Sequence, residues 1–131
     1  MHYGLEAVAL TKNQEAELEV AEMKMLRFAL GTTRVDKIRN QYIRGTSHVE
    51  RMGSKIREAR LSWFGHIQRR EENYIGKRMM EMELPGRRKR GRPKRRFMDV
   101  VEEDMRVSGV RREDVFNRKF WKQRIRCGDP V

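Results

Sequence analysis

The feature that most constrains the fold of this chain is a run of ten residues, 87–96, in which eight side chains are cationic. Like charges at this density repel one another and disfavour compaction, and the run has no hydrophobic periodicity. Its other two residues are Gly91 and Pro93, which interrupt regular structure. The basic run therefore predicts a solvated loop between folded segments, and an anionic partner that takes up its charge.

The charge of the whole chain agrees with nucleic acid as that partner. The 131 residues carry a formal net charge of +12, and the pI of about 10.5 lies in the range typical of nucleic-acid-binding domains. Residues 1–30 hold three basic and five acidic side chains, whereas residues 31–131 hold 28 and 14. We therefore expect DNA or RNA to bind after residue 30.

Other features exclude several classes of protein. Cys127 is the single cysteine, which excludes an internal disulfide and fits a reducing compartment. No apolar run approaches the roughly 18 residues that a membrane span needs, and the first residues lack the layout of a signal peptide. Arginine-rich runs can also serve as nuclear-import signals. We expect the protein in the nucleus, with a cytoplasmic ribonucleoprotein as the alternative. A nuclear-import receptor is an expected partner, and a membrane is not.

Hydrophobic spacing predicts an all-α fold of several short amphipathic helices, loosely packed because only 37% of the residues are hydrophobic. Thr11 and Gln14 have the spacing of a capping box that opens a first helix, and Gly31 closes it. Its acidic residues Glu15, Glu19 and Glu22 are expected to point away from an apolar face that holds Leu18, Ala21, Met25, Phe28 and Ala29. Residues 3–10 form either a strand or the tail of an upstream element.

Five more helices are predicted from caps and apolar positions. Thr33 with Asp36 opens a second helix that ends at Gly45, and Ser47 with Glu50 opens a third that runs towards Arg70. Asn73 caps a short helix through Met80. The last two helices follow the basic run. The apolar residues of the first are Phe97, Val101 and Met105, and a turn at Ser108 and Gly109 ends it. Those of the second are Val115, Trp121 and Ile125. The chain divides into residues 1–10, 11–80, 81–96 and 97–131.

The candidate binding site is the basic run itself. Its members are Arg87, Arg88, Lys89, Arg90, Gly91, Arg92, Pro93, Lys94, Arg95 and Arg96. Secondary contacts are predicted at Arg69, Arg70, Lys77 and Arg78. If all eight cations of the run contacted phosphates, log affinity for duplex DNA would fall with log salt at a slope of about −7.

The four residues 90–93, RGRP, leave the mode of binding open. They match the core of an AT-hook, in which Gly91 permits close approach to the groove floor and two arginines lie in a narrow A·T minor groove. Any segment rich in Arg, Lys, Gly and Pro can produce the same four residues, so sequence-blind phosphate contact is the alternative. Import signalling or solubility are further interpretations of the run.

Residues that could bind bases or perform chemistry have simpler structural interpretations. Trp63, Phe64, Tyr74 and Phe97 could stack on bases, but Trp63 shares a helical stripe with Ile56 and Ile67 and is expected in the core. The set His2, His48, His66 and Cys127 lacks the spacing of zinc ligands. The Glu-Asp pairs at 103–104 and 113–114 are expected on solvated helix faces. No catalytic residue, metal or cofactor is predicted.

Several motifs occur in the order of a known family. They are YGLE at 3–6, EMKMLR at 22–27, IRN at 38–40, RLSWFGH at 60–66, GRRKRGRPK at 86–94, and Trp121 followed by RCGDP at 126–130. Together they resemble the C-terminal end of the endonuclease–reverse transcriptase of RTE-type LINE (non-LTR) retrotransposons, over nearly the whole chain. Val8 departs from the pattern, since the family usually has Trp there.

The resemblance implies a fragment without its own activity. The endonuclease residues and the paired aspartates of the polymerase palm would lie upstream of Tyr3, and residues 11–80 would correspond to the end of the thumb and its connector. The chain is then a non-catalytic part that grips nucleic acid. The alternatives are the thumb and tail of an active RNA-directed DNA polymerase, with that upstream portion as partner, or a helical protein-interaction module with a nuclear-import signal.

Overall fold

The computed structural model describes residues 4–83, 85–87 and 89–127. Within these residues the protein is all-helical, without strands, and loosely packed, as predicted. The helices are α1 (Lys12–Ala29), α2 (Asn40–Ser47), α3 (Met52–Gln68), α4 (Ile75–Glu81), α5 (Phe97–Ser108) and α6 (Arg118–Ile125), with short 3₁₀ turns at Leu5–Ala7 and Arg112–Phe116. No described helix is long and apolar enough to cross a membrane.

Helix α3 is the centre of the fold. It packs against α1, α4, α5, α6 and both 3₁₀ turns, while α2 packs on α1. Two apolar clusters lie along it. The N-terminal cluster consists of Leu10, Met52 and Ile56, with Leu5 and Leu18 packed against it. The C-terminal cluster consists of Leu61, Phe64, Val101, Met105, Val110, Val115, Trp121 and Ile125.

The predicted start of α1 is confirmed, but its predicted apolar face is half-buried only at Leu18 and Ala21, and the rest of it is exposed. The Thr11 hydroxyl accepts a hydrogen bond from the Gln14 N–H, and the Thr11 N–H donates to the Gln14 side chain. Phe28 is 88% exposed, whereas Glu22, expected outside, is 5% exposed. Glu22 faces inward because its carboxylate pairs with Arg44 and accepts a hydrogen bond from the Met52 N–H. An ion pair between helices therefore sets the rotation of α1.

The predicted second helix starts too early. The Asp36 carboxylate does accept hydrogen bonds from the Thr33 N–H and hydroxyl, and the N–H bond lowers the pKa of Asp36. The chain makes only a turn there, because Lys37 has φ of +52° and leaves the helical region. Helix α2 begins at Asn40 and continues through Gly45, which was the expected stop.

The other observed helix boundaries differ from the predicted ones because of local contacts. Ser47 ends α2 instead of opening α3, since its hydroxyl donates to the Ile43 carbonyl within that helix. The α4 cap is Tyr74 instead of Asn73. The predicted last helix is divided at Asn117, whose side chain accepts a hydrogen bond from the Phe120 N–H and so caps α6. Residues 5–7 form a 3₁₀ turn, which excludes a strand there.

Candidate nucleic-acid interface

The cations of the basic run are mostly free of the fold. Six of them have exposed side chains that form no ion pair with any described residue: Arg87, Lys89, Arg90, Arg92, Lys94 and Arg96. Arg95 is half-buried and pairs with Glu103 of α5. Arg88 lies outside the described residues. The run therefore presents concentrated positive charge that the rest of the described protein does not neutralise.

Folded structure lies on both sides of the run: α5 follows it directly, and α4 ends at Glu81, with five residues between α4 and the run. Met80 of α4 and Phe97 of α5 pack against the C-terminal cluster. The Arg96 N–H donates to Asp99 Oδ2 at 3.0 Å, which opens α5. The Phe97 ring meets Trp63 edge to face, with centroids 5.4 Å apart. The anchored C-terminal end limits the conformations that the run loses on binding, and so lowers its entropic cost.

The centre of the run is open. Gly91 has φ of +125°, a conformation that L side chains rarely adopt, and an added Cβ would meet no atom within 4 Å. Pro93 is exposed beside it. A binding partner therefore meets backbone without steric obstruction at this point.

The four secondary cations divide into two kinds. Arg69 donates from Nη1 to the Val115 carbonyl at 2.9 Å, and burial lowers its pKa, with a further contribution from Arg118. Lys77 is buried, and its Nζ lies 2.7 Å from Glu72 Oε1. These two side chains serve the fold. Arg70 and Arg78 are exposed and available to a partner.

The aromatic candidates are largely occupied by packing. Phe64 is fully buried in the C-terminal cluster. Trp63 is half-buried against Phe97. Tyr74 is exposed, with the Arg70 guanidinium 5.5 Å from its ring centroid. Tyr74 and Arg70 thus form an accessible cation–π pair, whereas the other three rings pack within the protein.

The described residues contain no group of three or more His, Cys, Asp or Glu side chains that could hold a metal ion. The prediction that the Glu-Asp pairs lie on solvated helix faces is wrong for Asp104. Its side chain is only 13% exposed, and its carboxylate lies 2.8 Å from Arg60 Nη1. Because Asp104 follows Val100 and Val101 by four and three positions, it shares their buried face of α5. It is part of the fold's interior instead of a surface charge.

Arg60 is the most deeply buried of the described charges that sequence reasoning missed. It is 1% exposed at the centre of α3 and lies 3.7 Å from Glu15 of α1 through Nη2. With Asp104 it links α1, α3 and α5. The spacing did contain a signal, because Arg60 is four residues after Ile56 and four before Phe64 on the buried stripe.

The environment of Asp104 predicts a pH effect on stability. Burial raises the pKa of Asp104 to about 6, although Arg60, Arg57 and Arg95 lower it. The folded state then binds this proton more tightly than the unfolded chain, so the contribution to stability is complete below pH about 4 and is lost as the pH rises through 6. We expect the free energy of unfolding of the wild type to increase relative to that of Asp104→Asn as the pH falls from 7 to 5. Denaturant unfolding of both proteins at each pH measures this; parallel pH profiles would contradict it.

The comparisons with known proteins give no relative. No family model, no curated protein and no solved structure matches this chain. Of the motifs that resemble the LINE family, Tyr3, Arg88 and residues 128–130 lie outside the described residues. The functional argument therefore depends on the charge and geometry of the chain itself.

Proposed function

We propose that this chain is a non-catalytic module that binds DNA or RNA by gripping phosphates with the basic run. One observation carries the proposal: six exposed cations without ion pairs to described residues stand on one segment that leads directly into α5, where Phe97 packs against the C-terminal cluster. Neutralising phosphates releases condensed counterions, which is the main source of sequence-independent affinity. A partner without dense negative charge would leave this arrangement uncompensated.

The length of the run fits a nucleic-acid backbone. Ten extended residues reach at most about 33–36 Å, close to one turn of duplex DNA at about 34–36 Å. A loop that can change shape also follows the less regular path of a single strand. The dimensions therefore allow either partner, and the proposal names the phosphate backbone that DNA and RNA share.

The resemblance described above adds an origin to this proposal. We propose that the chain corresponds to the C-terminal part of a LINE reverse transcriptase, without polymerase or endonuclease chemistry of its own. Arg-rich runs of this kind also bind import receptors, so the proposed location is the nucleus. The motif order supports this origin.

A double substitution tests the sequence-blind mode of binding. Arg90→Ala/Arg92→Ala removes two phosphate contacts, and we expect affinity at about 0.15 M salt to fall about tenfold for each probe. The probes are A·T-rich duplex, G·C-rich duplex and single-stranded RNA, measured by fluorescence anisotropy. Equal losses are expected because phosphates are the same in all sequences.

Two results would count against this account. A loss confined to the A·T-rich duplex would assign the run to minor-groove recognition of an AT-hook type. Absence of binding by the unmodified chain to all three probes would overturn the proposed function itself.

A further inference from the structure

A second basic surface, formed by residues outside the basic run, lies between α1 and α2. It is a half-open cleft of about 510 Å³ whose wall includes five cations: Lys24, Arg27, Arg34, Arg44 and Arg51. Glu19 is the one carboxylate among its lining residues. The volume falls within the roughly 300–1,000 Å³ of ordinary ligand sites. The cleft is therefore large enough for a small anionic group, and its positive charge favours a negatively charged ligand.

Two of these cations are fixed by the fold. Arg27 donates from Nη2 to the Ile38 carbonyl at 2.6 Å and to Asn40 Oδ1 at 2.9 Å, so it fastens the segment that leads into α2. Arg44 is held by Glu22, with Nη2 2.9 Å from Oε2. Both guanidinium groups thus have set positions before any ligand enters.

Arg44 also carries an orphaned donor. Its Nη1 atom is buried and has no hydrogen-bond partner among the described residues. A buried charged donor without an acceptor is unfavourable. This atom has almost no accessible surface, so the contacts with a ligand in the cleft fall to its exposed cations.

The other three cations have no role in the described fold. Lys24, Arg34 and Arg51 are exposed, and no described residue forms an ion pair or a side-chain hydrogen bond with them. They come from α1, the α1–α2 segment and the residue before α3. Residues far apart in sequence thus place unneutralised positive charge around one cleft.

The cleft also has apolar walls, formed by Ala16, Val20 and Met23. Val20 is 54% exposed, although valine usually lies inside a fold. Cations beside apolar side chains match a ligand that joins a phosphate to a flat, weakly polar ring, which is the chemistry of a nucleotide. Stacked bases of a duplex are inaccessible to such a concavity, whereas unstacked bases of a single strand can enter it.

The cleft is connected to the basic run. A neighbouring cavity of about 230 Å³ shares Arg51 and Glu19 with the cleft and has Arg95, a member of the run, in its wall. The acidic residues there are partly used internally, because Glu103 pairs with Arg95 and Asp104 pairs with Arg60. One strand of nucleic acid could therefore contact both surfaces.

From these observations we propose that the α1–α2 cleft binds one unstacked nucleotide of a single-stranded segment, whose phosphates contact Lys24, Arg34 and Arg51. The inference rests on the proposed function, since the basic run would hold the same strand. The cleft would make the protein prefer single strands, whereas the basic run alone would bind single strands and duplexes alike.

The test compares two variants with equal loss of charge. The cleft variant is Lys24→Gln/Arg34→Gln/Arg51→Gln. The control variant is Arg106→Gln/Lys119→Gln/Lys122→Gln, whose exposed cations lie on α5 and α6 outside the cleft. Affinity for a single-stranded oligonucleotide and for a duplex of equal length is measured by anisotropy over a salt series. Matching circular dichroism and melting temperatures establish that both variants are folded.

We expect the cleft variant to bind the single strand at least about tenfold more weakly than the control does, with a salt slope shallower by about 2, and to bind the duplex as the control does. Equal single-strand binding by the two variants would overturn the inference, as would equal losses on duplex and single strand. A third protein with Gln at the six exposed cations of the basic run separates the two proposals. If this third variant loses affinity and the cleft variant does not, the proposed function stands and the cleft site is wrong. If the third variant binds as the wild type does, the proposed function is wrong.

Discussion

Removing the exposed charge of the basic run should lower affinity for duplex DNA at least about a thousandfold at 0.15 M salt. The variant carries Gln at Arg87, Lys89, Arg90, Arg92, Lys94 and Arg96. Each phosphate contact contributes about 0.9 to the salt slope, so six lost contacts remove most of the electrostatic free energy of binding. Equilibrium anisotropy with a labelled duplex measures the loss. Because these side chains are exposed and unpaired with described residues, stability should not fall.

A control for this variant must lose the same charge elsewhere. Exposed cations of the C-terminal part provide it, through Gln at Arg106, Arg111, Arg118, Lys119, Lys122 and Arg126. We expect this control to keep most of the affinity, since its charges are not concentrated on one segment. Similar losses in the two variants would mean that net charge alone drives binding, which contradicts a localised site.

Trp121→Ala should have the largest effect on stability, about 3–5 kcal/mol of unfolding free energy. Trp121 is 2% exposed, its indole Nε1–H donates to the Leu61 carbonyl at 3.1 Å, and its ring centroid lies 6.3 Å from that of Phe64. Gly65 leaves room for it, since a Cβ there would come within 2.6 Å of the indole nitrogen. Truncation removes both the packing and the hydrogen bond. Urea unfolding followed by circular dichroism measures the change.

A surface aromatic residue gives the matched comparison. Phe28 is 88% exposed on α1, and Phe28→Ala should change the unfolding free energy by no more than about 0.5 kcal/mol. If Trp121→Ala were as mild as Phe28→Ala, the C-terminal cluster would not be the core that anchors the basic run.

Local signals explain which parts of the fold were predictable. The Thr11–Gln14 capping box and the stop at Gly109 depend on residues within one turn of each other, and both are present. The Thr33–Asp36 contact also forms, yet a cap alone does not extend a helix when Lys37 adopts a left-handed conformation. Local sequence therefore identified the contacts at Thr11 and Thr33, but it did not indicate how far the helices extend, and it placed the caps of α3 and α4 wrongly.

Buried charges escaped prediction because their partners are distant in sequence. From its sequence position Glu22 is expected at the surface, because its partners, Arg44 and the Met52 N–H, are distant in sequence and meet it only in the fold. Arg60 and Asp104 are 44 positions apart, and only the packing of α3 on α5 joins them. Pairing replaces the lost hydration of each charge. Helical spacing places Arg60 and Asp104 on buried faces, but it does not identify the partner of either charge.

The two basic surfaces differ in the same way. The basic run is contiguous, so its charge density is visible in the sequence alone. The α1–α2 cleft collects Lys24, Arg34 and Arg51 from three segments, and only the fold unites them. Sequence reasoning also assigned Arg69 and Lys77 to nucleic acid, although hydrogen bonds to Val115 and Glu72 already hold them.

The salt dependence of duplex binding by the unmodified chain tests the central claim most directly. Arg95 pairs with Glu103, which leaves six described cations of the basic run, or seven if Arg88 is included, to contact phosphates. Log affinity should therefore fall with log salt at a slope of about −5 to −6. A slope shallower than about −3, or weak binding that salt does not change, would contradict the account that the basic run grips a nucleic-acid backbone.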